Sequence, residues 1–161
     1  MAKRRETGQI SGKIWPMVNY LEVSAEWSTG GSPTLADLQA AQAAGVAVVI
    51  NLALADSPGI LPAEGARVAE LHMEYIHIPV VWEKPTLENL RDFFAALERC
   101  RGRKLLIHCV KNMRVSAFLY LYRVLRQGAE PQAAYLDMAQ IWQPEGVWAA
   151  FIEQALNQAS R

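Results

Sequence analysis

Short runs of β-branched residues alternate along this chain with segments whose apolar positions recur every three or four residues, the signature of strands interleaved with helices. A short strand is predicted near Asn19 to Ser24, followed by a Gly/Ser/Thr-rich turn from Ser28 to Ser32. Thr34 is placed to cap a helix that carries Leu35 and Leu38. Asp37 stands three residues on, and Gly45 marks the expected stop. Val46 to Leu52 is a continuous apolar run of the kind buried on both faces of a parallel sheet. A weaker helix is expected from Pro62 to Leu71. Glu74 to Val80 then alternates as a strand that Pro79 ends near Ile78.

Pro85 and Thr86 open a stronger amphipathic helix through Leu87, Leu90, Phe93, Phe94 and Leu97, and Lys104 to His108 forms the next strand. From Arg114 to Gln127 the pattern is apolar nearly all round, so this helix belongs at the centre of the domain, and Gly128 stops it. Two more helices, Pro131 to Ile141 and Pro144 to Leu156, offer Tyr135, Trp142, Trp148 and Phe151 as packing. The pattern predicts an α/β fold with a mostly parallel central sheet flanked by helices. With no repeat and no linker-like stretch, residues 14–161 read as a single domain behind a poorly ordered 1–13.

Charge narrows the classes of partner. The 16 basic residues balance the 16 acidic ones, so the surplus expected of a nucleic-acid binder is missing, and Lys3-Arg4-Arg5 reads as a solvated terminus. No apolar stretch follows that run, and no segment approaches the roughly twenty apolar residues of a membrane span. A cytoplasmic protein with no membrane partner is expected. Two cysteines, Cys100 and Cys109, are too few for a disulfide scaffold and should be free thiols in a reducing compartment. His72 and His77 are scattered among apolar neighbours without metal-ligand spacing, so neither a metal nor a cofactor is predicted.

The chemistry concentrates in His108-Cys109-Val110-Lys111-Asn112-Met113-Arg114-Val115-Ser116, where a buried strand gives way to the central helix. Free amides and the dipole at a helix start bind oxyanions, and the same field favours a thiolate at Cys109. Arg114 can offer a planar fork to two oxygens of a phosphate-like group, and Ser116, one turn into the helix, a hydroxyl to the sulfur. Asn112 suits the positive φ of a tight turn, and Lys111 adds positive field. Val110, Met113 and Val115 complete the cradle expected to contact substrate. His108 is expected to hydrogen-bond structurally, and Cys100, separated from Cys109 by the strand, to be structural. The plainer alternative makes Cys109 a small buried hydrophobe and Arg114 a helix cap. Of the tryptophans at 15, 27 and 82, Trp82 is the foremost candidate for the mouth of the site, next to Glu83.

These residues resemble the His-Cys-x5-Arg-Ser/Thr signature loop of the protein tyrosine and dual-specificity phosphatase superfamily. Gly31-Ser32-Pro33-Thr34, Ala44 to Leu52 and Tyr75-Ile76-His77-Ile78-Pro79-Val80 look like the upstream framework of its compact bacterial members, over about Asn19 to Gly128. The resemblance implies the cysteine-dependent phosphatase II fold and hydrolysis of phosphomonoesters, on a phosphorylated protein or a small molecule, through a phosphocysteine. It assigns Cys109 as nucleophile, Arg114 as oxyanion ligand, Ser116 as aid to breakdown, and Glu83 as acid where the family usually has aspartate. Four residues, not five, separate Cys109 from Arg114. In one register the loop keeps family length and Val115 takes the arginine position; in the other it is a residue shorter and Arg114 is retained, which is the register favoured here. A Cys-x4-Arg spacing also resembles rhodanese-type sulfurtransferases, in which the cysteine carries a persulfide. A catalytically dead phospho-binding module is the third possibility, and oligomeric state is left open.

Overall fold

The computed structural model describes residues 17–159. The expected disorder of residues 1–13 and the candidate Trp15 lie outside that span. Five strands form one sheet in the order β1-β2-β5-β3-β4: β1 (Leu21–Glu22), β2 (Trp27–Gly30), β3 (Val48–Asn51), β4 (Glu74–His77) and β5 (Leu105–His108). β1 pairs antiparallel with β2, and every other neighbouring pair is parallel. The sheet therefore presents the carboxyl ends of four strands along one edge. Gly30, His108, Asn51 and His77 stand in register there.

Side chains alternate between two cores, as the pleat requires. Val48, Ile50, Leu105 and Ile107 face one core, and Val49 and Leu106 face the other. The second core is covered by α1 (Leu35–Ala43), through Leu38 and Ala41, and by α2 (Glu64–Glu70), through Val68. The first is covered by α3 (Leu87–Arg99), α4 (Met113–Arg126), α5 (Pro131–Ala139) and α6 (Val147–Ala159). Thr34 and Thr86 each close a capping box, with Asp37 and Asn89, which satisfies otherwise orphaned amides at the starts of α1 and α3. In α4 every residue from Arg114 to Leu119 is buried, as the all-round apolar pattern predicts. Phe118 meets Phe93, Trp148 and Phe151 at 5.6–5.8 Å between ring centroids. Truncating it to alanine would cost about 3–5 kcal/mol.

One element departs from the sequence reading. Trp27–Gly30 is a fully buried strand beside β5, where the sequence pattern predicts a turn from Ser28 onward. Its small polar residues hide a strand whose hydroxyls make specific bonds: Thr29 donates to the Leu21 carbonyl at 2.8 Å, and Tyr20 donates to Ser28 at 3.2 Å. Trp27 is buried edge-to-face against Tyr122 and so is not at the mouth of the site.

Candidate active site

β5 is the central strand, and Cys109 follows its last residue, buried between the parallel neighbours β2 and β3. The Cys109 amide donates to Gly30 O at 3.3 Å, while Ser32 N donates to Val110 O at 3.1 Å. A β-carbon at Gly31 would lie 2.4 Å from the Val110 carbonyl oxygen, so glycine alone lets β2 leave the sheet this close to the loop. Asn112 takes the left-handed conformation expected of it (φ 66°) and precedes the first turn of α4. Its side-chain amide is spent sideways, donating to Asn19 O at 2.8 Å and Thr29 Oγ1 at 2.9 Å. Asn19 donates in return to Lys111 O at 3.0 Å. Asn112 makes no side-chain cap to the helix, so the first-turn amides of α4 keep their free donors, and with them the positive end of the helix dipole.

Cys109, Val110, Lys111, Met113, Arg114 and Trp82 line one cavity of about 270 Å³. That is close to the lower end of volumes typical for small-molecule sites, roughly 300 Å³. A larger open hollow of about 430 Å³ between Val23–Trp27 and Arg123 has no cysteine among the described residues that line it. Arg114 is buried, donates from Nη1 to the Val80 carbonyl at 2.7 Å, and sits 6.0 Å from the Trp82 ring centroid. Val115 lies fully inside the first core and turns away from the cavity. The arginine position of the family-length register is thus held by a core residue, and the shorter register, with Arg114, supplies the cation.

Trp82 packs at 5.4 Å from Trp142 and 5.5 Å from Trp148, and Trp148 Nε1 donates to Trp82 O at 2.8 Å. Trp142, in the connection between α5 and α6, and Trp148 of α6, which the sequence pattern assigns to core packing, therefore also hold the wall of the cavity. Two expected roles require correction. The Ser116 hydroxyl donates to Met113 O at 2.9 Å and accepts the Trp142 indole at 3.0 Å, so its proton is committed to the backbone and not offered to sulfur. Glu83 is exposed in a turn closed by Lys84 N donating to Val81 O at 3.0 Å, and it does not line the cavity. The burial that would adapt it as a proton donor is missing.

His108 is fully buried, with Nδ1 3.2 Å from the Cys109 carbonyl and Nε2 2.5 Å from a Glu64 carboxylate oxygen. Its structural role thus involves a partner the sequence reading did not single out. Glu64 sits in the first turn of a short helix with an ordinary acidic start, and nothing in the pattern distinguishes it from a solvated residue. Cys100 is a free, buried thiol at the end of α3, at the opposite end of β5 from Cys109 and so roughly 13 Å or more away.

The profile of the family described as a DSP-PTPase phosphatase fused to NAD+ kinase matches residues 17–149, well over half of the chain. The chain belongs to this family. It is a member of the cysteine-dependent protein tyrosine and dual-specificity type phosphatases, a hydrolase group, as its loop resemblance implied. Among solved structures, a DUF442 protein of Shewanella putrefaciens CN-32 is similar at 34% identity, over 88% of this chain and 91% of that one, with a TM-score of 0.80. TpbA of P. aeruginosa, solved with phosphotyrosine, shares the fold at 17% identity and a TM-score of 0.68, covering 89% of this chain and 91% of its own. The core catalytic domain of the PP-IP phosphatase SIW14 of S. cerevisiae, solved with citrate, does so at 17% identity and 0.67, covering 90% and 93%. No curated protein matches the chain. Family membership selects the phosphatase branch over the sulfurtransferase one. Among the described residues of this DSP-PTPase chain, no helix is long and apolar enough to cross a membrane.

Proposed function

We propose that residues 14–161 act as one catalytic domain that hydrolyses phosphomonoesters through a phosphocysteine at Cys109. The observation that carries this reading is the shared cavity. Cys109 and Arg114 border it together, beside the uncapped start of α4. The Cys109 thiolate attacks phosphorus, the S–P bond forms as the ester P–O bond breaks, and the leaving oxygen departs with the bonding pair. Water then attacks phosphorus, releases inorganic phosphate and returns the thiolate, with a proton lost to solvent. Arg114 and the α4 amides hold the non-bridging oxygens as charge redistributes. Val110, Lys111 and Met113 shape the rest of the cradle.

Among the described residues no carboxylate lines the cavity, so departure of the leaving group rests on its own acidity. Trp82 adds a flat apolar wall. Both features favour aryl over alkyl phosphates, whether on a protein or on a small molecule. Two free thiols suit a reducing compartment, and the cytoplasm is the proposed location. The test is hydrolysis of p-nitrophenyl phosphate by the wild type and by Cys109→Ser. Turnover abolished in the variant, with phosphate binding retained, is the expected result. Turnover that survives in the variant refutes the nucleophile assignment, and phosphate binding without wild-type turnover identifies a binding module.

A further inference from the structure

Glu64 is a buried carboxylate in a helix that contributes nothing to the cavity. Its Oε2 meets His108 Nε2, and its Oε1 is buried without a hydrogen-bond partner. The residue before it, Ala63, adopts a left-handed conformation (φ 55°, ψ 41°), which is strained for a non-glycine residue. Strain at the entry of α2 and a buried acid at its first position mark a side chain held in place by something other than helix formation.

The proton arrangement follows from the acceptors. The Cys109 carbonyl accepts only, so Nδ1 of His108 carries hydrogen. One further proton then lies between Nε2 and the Glu64 oxygen, and the two bonds together fix the ring at the strand end that carries Cys109. We propose that Glu64 is a positioning residue for Cys109: acting through His108, it holds the carbonyl of the nucleophile's own residue and supports the thiolate. This inference rests on the phosphatase reading of the cavity.

On α2 itself Arg67 lies one turn from Glu64 and pairs with Glu70 at 3.0 Å. Lys111 and Arg114 belong to the loop itself. From β4, burial pushes the Tyr75 phenol up, its hydrogen bond to Asn51 opposes that shift, and the Glu64 charge adds to it. Glu83 and Lys84 are exposed.

The test is iodoacetamide labelling of Cys109, read by peptide mapping across about pH 5 to 9, in the wild type and in Glu64→Gln. The glutamine keeps a hydrogen bond to Nε2 but removes the carboxylate and the proton it shares with the ring. The midpoint of labelling is expected to rise by roughly half a pH unit or more, with thermal unfolding still cooperative. An unchanged or lowered midpoint in a folded variant overturns the proposal. If Glu64→Gln does not fold, the double variant Glu64→Met/His108→Phe leaves no buried charge unpaired, and a wild-type midpoint there overturns it equally. A wild-type Cys109 that labels only as an unperturbed thiol refutes the nucleophile reading itself. A perturbed wild-type thiol with an unaffected Glu64→Gln refutes this inference alone.

Discussion

Replacing Arg114 by alanine separates the two registers of the loop. Its guanidinium gives one hydrogen to Val80 O at 2.7 Å, and its remaining nitrogens retain enough donors for a forked contact with phosphate. A hydrogen bond to a charged group is worth about 1.5–3 kcal/mol, so losing a forked pair costs about 3 kcal/mol of binding. That corresponds to a loss on the order of a hundredfold in phosphate affinity. The buried Val80 carbonyl also loses its partner, at about 1–3 kcal/mol of stability, or a fall in Tm of roughly 2–4 °C per kcal/mol. The control is Val115→Ala. That side chain is enclosed in the core, so the variant is expected to lose about 2 kcal/mol of stability and keep its kcat/KM per folded molecule. The assay is competitive inhibition of aryl phosphate hydrolysis by phosphate and by vanadate, beside thermal melts of all three proteins. A change below about threefold in inhibition constant for Arg114→Ala would refute the assignment of Arg114 as the oxyanion ligand. So would selective loss of phosphate binding in Val115→Ala.

Glu83→Gln is expected to leave kcat/KM for p-nitrophenyl phosphate within about twofold, because the exposed carboxylate does not reach the cavity. A hundredfold loss in steady-state turnover would reinstate it as the acid. Asn112→Ala removes two hydrogen bonds that tie the loop to Asn19 and Thr29, and it forces alanine into φ 66°. The expected cost is about 2–4 kcal/mol by denaturant titration, with KM rising more than kcat falls; Asn112→Gly should recover only the backbone share.

Much of the framework was legible because it rests on local rules. Val48–Asn51 and Leu105–His108 announced themselves as aliphatic runs, and Thr34 and Thr86 formed the caps that their neighbours implied. Trp27–Gly30 escaped because Ser28, Thr29 and Gly30 sit in a strand for reasons of hydrogen bonding and close approach, which propensity does not record. Within the site, Cys109 and Arg114 were readable from their place at a strand-to-helix junction. Glu64 was not, because its partner lies 44 positions away and burial of an acid leaves no mark on sequence periodicity. The Ser116 hydroxyl spends its proton on Met113 O three residues back, a local bond that competes with any role at sulfur, and the indole that donates to it comes from Trp142 in a later segment.

Arg114 touches both the carbonyl of Val80 and the ring of Trp82, so the segment after β4 and the anion seat share a single cation. Thermodynamic linkage then runs in both directions. A group that engages Trp82 and stiffens this segment alters anion affinity by some factor, and an anion on Arg114 alters affinity for that group by the same factor. In the proposed reaction, inorganic phosphate left behind after turnover would accordingly change how tightly the departed aryl group rebinds, a coupling carried by one side chain.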